Sequence, residues 1–297
     1  MATRPLLMQA RATALGLLQE LRPKQWYKQS LLFVGIVFSG NLFHPGHFRE
    51  VAVAVVAFCA AAGAVYIFND IVDREADRNH PTKRHRPIAS RQVSVPAASA
   101  FGLTLVGTGV WLSMALDYAF FVIIALYLSQ NVVYSLFLKR VPLLDVVVVA
   151  TGFLLRAIGG VVVIQATISP WLVLCTFLLA LLMALGKRHH ELATVDQTSR
   201  DVLETYSRPL LERVMTAVGI ALLTSYGLYS VLGRTPMLVV SLPFVCLGVI
   251  RFFRLMSLRG RAPLPPSLLK DARFFVYVTG WVISIVAVIY FVQGGSG

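Results

Sequence analysis

Long uninterrupted apolar runs constrain this chain more than any other feature. A helix that crosses a bilayer needs about 20 mostly apolar residues. Blocks of that kind occupy 51–69, 93–115, 118–138, 142–164, 168–186, 213–232, 236–253 and 274–293, with a shorter one at 30–43. Backbone inside lipid must satisfy its own hydrogen bonds, so runs of this length become helices. The expected fold class is therefore all-α: a polytopic membrane protein with about nine transmembrane helices, forming a single transmembrane domain over 1–297. Composition agrees, with 57% hydrophobic and 14% charged residues, against about a quarter charged in a soluble domain. Residues 1–29 have no apolar stretch of signal-peptide type, and 6–21 reads as an interfacial amphipathic helix. Cys59, Cys175 and Cys246 each fall inside an apolar run and read as small packing residues.

The distribution of basic residues gives an orientation, because cytoplasmic loops are enriched in Lys and Arg. With the N-terminus in the cytosol and nine crossings, 24 of the 27 Lys and Arg fall on inner segments, against only Arg49 and Arg234 outside and Arg156 within a span. This predicts an inner or plasma membrane protein whose active site faces the cytosol. The net charge of +13 is then explained by topology, and no nucleic-acid partner is expected. Two inner loops, 70–92 and 187–213, are longer and more polar than the others, and function is expected there. The sequence leaves the oligomeric state open, a homo-oligomer included.

The first of these loops opens on Asn69, Asp70, Asp73 and Asp77. The 3 and 4 spacing stacks the three carboxylates on one face of a helix, where they repel unless a cation sits among them. Oxygen donors with open positions suit Mg²⁺, which binds through one or two carboxylates plus substrate phosphates. Metal ligands are expected at Asn69, Asp73 and Asp77, with Asp70 in contact or orienting, and all three aspartates are the candidate catalytic set. Lys83 and Arg86 follow, suited to anionic oxygens. The alternative is a solvated, charge-balanced loop, but here acids precede bases in a block directly at a helix end. Before the first span, Arg22, Lys24 and Lys28 stand beside Trp26 and Tyr27, as either a membrane-interface anchor or a phosphate grip. The second loop offers Lys187, Arg188, Glu191 and Tyr206 for a sugar or phosphate. Adjacent His189 and His190 make a poor metal pair, and Asp196 and Asp201 do not repeat the 3 and 4 spacing. Asp145 and Arg156 lie eleven residues apart in one span, on one side and about 16 Å apart along it. Ionisable groups at such depth are candidates for function: Asp145 for the inner polar site, Arg156 for a structural pair or a lipid head group.

The pattern N-D-x-x-D-x-x-x-D at 69–77, at the inner end of the second span, resembles the first Asp-rich motif of the UbiA-type membrane prenyltransferase superfamily. RPKQW at 22–26, HP-x-K-x-x-RPIAS at 80–90, LLD at 143–145, LLRAIGG at 154–160, GKR-x-x-E at 186–191 and LE-x-Y at 203–206 resemble, more narrowly, its decaprenyl-phosphate phosphoribosyltransferase branch. Arg91 stands where that branch is expected to have Gly, and Gln29 where it tends to have Asn. The resemblance implies a UbiA-like bundle and a Mg²⁺-dependent transfer of 5-phosphoribose from phosphoribosyl diphosphate (PRPP) to decaprenyl or another polyprenyl phosphate. Diphosphate leaves, and the product feeds arabinose donors for cell-wall polymers. Lys24, Lys83, Arg86, Lys187 and Arg188 would then hold phosphates, Glu191 and Tyr206 the ribose, and Lys28 or Arg156 the lipid phosphate. A rival within the superfamily moves a prenyl group from a prenyl diphosphate to an aromatic or lipid acceptor, and would be expected to carry a second Asp-rich motif. A transporter would be expected to show an internal repeat and more charge near mid-membrane; Arg156 is the one deep charge.

Overall fold

The computed structural model of the protein describes residues 3–194, 206–233, 236–260, 262–264, 267–268 and 270–292. Among them every regular element is helical. Helix α1 (Thr3–Glu20) leads through a 3-10 segment, Pro23–Leu31, into the seven-residue α2 (Leu32–Phe38). Then come α3 (Pro45–Val72), the one-turn α4 (Arg74–Arg78), α5 (Val95–Leu116), α6 (Tyr118–Leu136), α7 (Leu144–Val162) and α8 (Pro170–Thr194). The chain ends in α9 (Arg208–Leu232), α10 (Leu242–Arg259) and α11 (Ala272–Val286). Local chemistry sets several starts: Ser94, Ser207 and Asp271 accept from the first-turn N–H groups of α5, α9 and α11. Proline in the first turn of α3, α5 and α9 removes a donor that has no helical partner there.

Among the described residues, eight helices are long and apolar enough to cross a membrane: α3, α5 to α10 and α11 with its continuation. The protein is thus a multi-pass membrane protein. The expected first span, 30–43, takes a different form: α2 is only seven residues and is preceded by 3-10 turns. The charged Lys24 and Lys28 ahead of it and the Ser39, Gly40, Asn41 turn after it leave too short an apolar run for one helix. The chain still climbs the full height of the bundle here. Arg22 binds Asp70 at the end of α3, whereas His44 caps the start of α3, about 37 Å away at 1.5 Å per residue. The segment between Arg22 and His44 thus runs from one end of α3 to the other.

Small residues let this segment approach its neighbour. A Cβ on Gly160 of α7 would overlap the carbonyl oxygen of Leu32, and one on Gly35 of α2 would stand 2.7 Å from the backbone nitrogen of Val161. Close backbone contact of this kind is how membrane helices associate, since lipid supplies no hydrophobic drive. Apolar side chains fill two core clusters: one around Phe58, Phe120 and Ile36, the other around Leu182, Met215 and Phe252. Many large apolar side chains point outward on α5, α6, α9 and α11, as a lipid-facing surface requires.

Candidate functional site

The three stacked carboxylates do not share one continuous helix. Helix α3 ends at Val72, Asp73 turns the chain with φ −90° and ψ 3°, and α4 starts afresh at Arg74. The expected single acidic face is therefore interrupted at Asp73, whose carboxylate takes a different partner from the other two. Asp70 and Asp77, both buried, converge on one guanidinium: Arg86 donates to Asp70 at 2.9 Å and to Asp77 at 2.6 Å. Arg22 adds two bonds to Asp70, at 2.7 and 2.6 Å. Asp73 instead pairs with Lys139 from the turn between α6 and α7, and the Asn69 side-chain oxygen accepts from Ser135 of α6. Protein cations thus supply the positive charge that the acidic stack requires.

Lys139 and Ser135 were not marked by the sequence motif, because their partners lie 66 residues away, and Arg22, marked as an anchor or phosphate grip, binds Asp70 across 48 residues. Glu20 is a further participant that spacing could not find. It ends α1, is 1% exposed, and one of its oxygens has no hydrogen-bond partner. Burial, then the hydrogen bond and charge of Asp70, push its carboxyl up to about 8. Helix α1 is tied down here: Gln92 donates to the Ala12 carbonyl at 3.0 Å, and Gly16 packs so tightly on Val93 that a Cβ would stand 2.6 Å from it. The loop that closes under α1 includes Arg91 at φ +64°. That left-handed conformation is one glycine adopts freely, which gives physical content to the glycine expected there.

A second acidic network forms across α7, α8 and the segment before α9. Asp145 is fully buried; it accepts from Arg188 at 2.6 Å and from the Tyr206 hydroxyl at 2.6 Å. The Leu143 N–H donates to Tyr206 at 2.6 Å, and Glu191 pairs with Arg188 from the other side. Two donors of Arg188, expected to hold phosphate, are thus engaged by protein carboxylates, which makes it a group that positions Asp145 and Glu191. Burial and the Asp145 bond push the Tyr206 hydroxyl up to about 12. Lys187 is largely exposed beside Glu191 at 3.9 Å, Lys24 is exposed on the 3-10 segment, and Lys83 is half-buried. Asp196, Asp201 and residues 203–205 of the LE-x-Y pattern lie outside the described residues.

Arg156 has surroundings of another kind. It is 4% exposed, and it donates to Gln29 at 2.8 Å, the Gly152 carbonyl at 2.6 Å and the Tyr127 hydroxyl at 2.8 Å. Every one of these partners is neutral, and among the described residues no carboxylate pairs with Arg156. Its guanidinium lies over Phe58, Tyr127 and Phe153. Lys28 shares Phe153, at 5.9 Å, and donates to Gln25 at 2.8 Å. Burial, then the charges of Arg156, Lys187 and Arg22, bring the Lys28 ammonium down to about 7. Four cations influence one another here, and neither Lys28 nor Arg156 has a carboxylate partner among the described residues. An unmatched cation at depth is costly, and an anionic ligand would relieve it.

Comparison with known proteins accords with this geometry. The sequence profile described as the UbiA prenyltransferase family matches residues 30–279. The chain is similar to a decaprenyl-phosphate phosphoribosyltransferase of Corynebacterium glutamicum, 32% identical over 93% of this chain and 87% of that one. It is also similar to a decaprenyl-phosphate phosphoribosyltransferase of Mycolicibacterium smegmatis, 38% identical over 72% of this chain and 70% of that one. A solved UbiA homolog from Archaeoglobus fulgidus, bound to GPP and Mg²⁺, has a TM-score of 0.73 over 92% of this chain and 100% of that one. Its identity of 16% makes this a likeness of fold.

Proposed function

The chain belongs to the UbiA prenyltransferase family and is a membrane transferase; from that premise we propose that it transfers 5-phosphoribose from PRPP to decaprenyl or another polyprenyl phosphate and releases diphosphate. Relatives carrying a decaprenyl-phosphate phosphoribosyltransferase name support the reading. The observation that carries it is the inner end of α8, where Arg188 lies buried between Asp145 and Glu191. A guanidinium–carboxylate network of this kind suits a polar sugar. An enzyme that ionises a prenyl diphosphate is expected to place a second set of metal-binding carboxylates in this region.

The donor set at the first motif fits Mg²⁺. Its oxygens are hard, and Asp73 and Asp77 each keep one oxygen outside the ion pairs described. Asn69, Asp73 and Asp77 would hold the ion, which would neutralise charge developing on the leaving diphosphate. Lys83, Arg86, Lys139 and Lys187 would bind the diphosphate and 5-phosphate oxygens, with Lys24 at the entrance. Asp70, fixed by Arg22 and Arg86, orients Arg86. Tyr206 and Glu191 would bind the ribose hydroxyls, with Asp145 and Arg188 holding both in place.

In the reaction the C1–oxygen bond to diphosphate breaks, and its electron pair leaves with the diphosphate. An oxygen of the acceptor phosphate closes on C1. A phosphomonoester is mostly dianionic near neutral pH, with a second pKa of about 6, so no general base is needed. Catalysis rests on charge neutralisation and on positioning two anions together. Soluble PRPP and the inner-loop cations place the site on the cytosolic face of the plasma membrane in this proposal, with nine crossings.

The test is direct. Detergent-purified protein is given labelled PRPP, polyprenyl phosphate and Mg²⁺, and label is followed into the lipid phase. Label should appear, and should be lost with EDTA or with Asp73→Ala. If a prenyl diphosphate turns over instead while PRPP stays inert, the assignment to this branch is wrong.

A further inference from the structure

Resting on that reading, we infer that His189 and His190 are positioning residues for the donor end of the site: together they hold the connection between α10 and α11 against α8, and so fix Arg188 and Glu191.

The two adjacent histidines meet at one residue of that connection. The Ala262 N–H donates to Nδ1 of His189 at 3.0 Å, and Nδ1 of His190 stands 2.8 Å from the Ala262 carbonyl oxygen. An accepting Nδ1 on His189 puts the ring proton on Nε2, which faces Glu212 of α9 at 3.0 Å. A carbonyl can only accept, so on His190 the proton sits on Nδ1. The neighbouring rings thus take opposite tautomers and satisfy both peptide groups of Ala262. That residue is fully buried and lies outside any helix, so both groups need partners.

Further bonds close the arrangement. Glu212 also pairs with Arg208 at 3.6 Å, and Arg208 donates to the Gly260 carbonyl. Asp271, which caps α11, is held by Arg251 of α10 at 2.7 Å. Where α8 meets the connection it has no side chain: a Cβ on Gly186 would stand 3.0 Å from the Phe252 ring and 3.6 Å from Cβ of Ala262. Ala262 and Leu268 pack in the same apolar cluster as Leu185 and Tyr206.

The consequence falls on the other side of α8. Successive helical residues step round the axis by about 100°. His189 and His190 therefore turn away from Arg188 and Glu191, which share a face and bond each other. Arg188 also reaches Asp145 of α7, and Asp145 accepts from Tyr206. The last turns of α8 are thus gripped on both sides, by the connection through the histidines and by α7 through Asp145. Rotating or sliding α8 would break both Ala262 bonds, so the histidine pair sets the register that Arg188 and Glu191 inherit.

His189→Leu and His190→Leu test this, each beside the matched His189→Asn or His190→Asn, whose amide can accept or donate where Nδ1 stood. KM and kcat are measured for PRPP and for decaprenyl phosphate in detergent-purified protein, together with the melting temperature. Each leucine variant should raise KM for PRPP about tenfold, the scale of one buried peptide group left unpaired, with KM for decaprenyl phosphate unchanged. The asparagine variants should return KM for PRPP to within about threefold of wild type. Should a leucine variant not fold, Glu212→Met, at a half-exposed position, takes the Nε2 partner from His189 and should raise KM for PRPP about threefold. Unchanged KM for PRPP in the folded variants, an equal rise for both substrates, or asparagine no better than leucine overturns the inference and leaves two packing histidines. If the wild type transfers nothing from PRPP, the proposed function fails, and this inference with it.

Discussion

Two regions of buried charge lie within one bundle, and they are neutralised differently. Around Asp70, Asp77 and Asp145, each carboxylate is met by an arginine of the chain: Arg22, Arg86 or Arg188. Around Arg156 and Lys28 the partners are amides, a carbonyl and a phenol. In the first region the chain's own arginines meet the carboxylates and hold them in place. The second keeps positive charge unmatched and is built to be completed by a ligand. Deep charge in a membrane protein is a candidate for function in either case, but only in the second is the charge without a partner of opposite sign among the described residues.

The contrast predicts that stability and activity separate. Removing Asp145 leaves buried Arg188 with Glu191 alone and takes the acceptor from the Tyr206 hydroxyl, so Asp145→Ala should cost about 3–5 kcal/mol of stability, read as a lower melting temperature in detergent. Replacing both partners, as Asp145→Leu with Arg188→Met, should recover most of that melting temperature while turnover stays lost. Arg156→Met strands no carboxylate and should melt close to wild type. Similar melting losses for Arg156→Met and Asp145→Ala would break the distinction.

Packing around the second region gives the next effect. Gly160→Ala pushes α7 away from Leu32 and should cost about 1–3 kcal/mol. It should also weaken acceptor binding, because the Gln29–Arg156 bond depends on that close approach.

The Lys28 ammonium, depressed to about 7, gives a pH signature. Binding an anion requires the charged form. Below pH 7 Lys28 is already protonated; above it, binding must take up a proton. Affinity for the acceptor should fall about tenfold per pH unit above 7, and Lys28→Arg should flatten the slope. The smallest expected effect is at Arg91, where φ is +64°. Arg91→Gly relieves left-handed backbone and should raise stability by about 0.5–1 kcal/mol.

Much of this was legible beforehand because it rests on local pattern. Apolar runs mark α3 and α5 to α11, and the 3 and 4 spacing marks Asp70, Asp73 and Asp77 before any coordinates exist. The break at Asp73 was not legible, since nothing between Asn69 and Asp77 forbids a continuous helix; the turn is fixed by Lys139 and Arg86, which arrive from elsewhere in the chain. Glu20 reads in sequence as an acid at the end of an interfacial helix, and its burial follows only from the docking of α1 on residues 92–93. Asp145 and Arg156 were both marked as charges within one span. Their opposite surroundings depend on α8 supplying Arg188 to one, while the 3-10 segment supplies only Gln29 to the other. The expected first span was misjudged in form because an apolar run predicts a helix and says little about the 3-10 turns that precede it.

The acid-free cation pair is expected to hold the lipid phosphate independently of the acidic cluster. Equilibrium binding of decaprenyl phosphate to purified protein, without PRPP and with EDTA present, tests it most directly. Wild type and Asp73→Asn should bind alike, and Arg156→Met should lose affinity at least about tenfold. Unchanged binding by Arg156→Met, or binding that needs Mg²⁺ and Asp73, would contradict it.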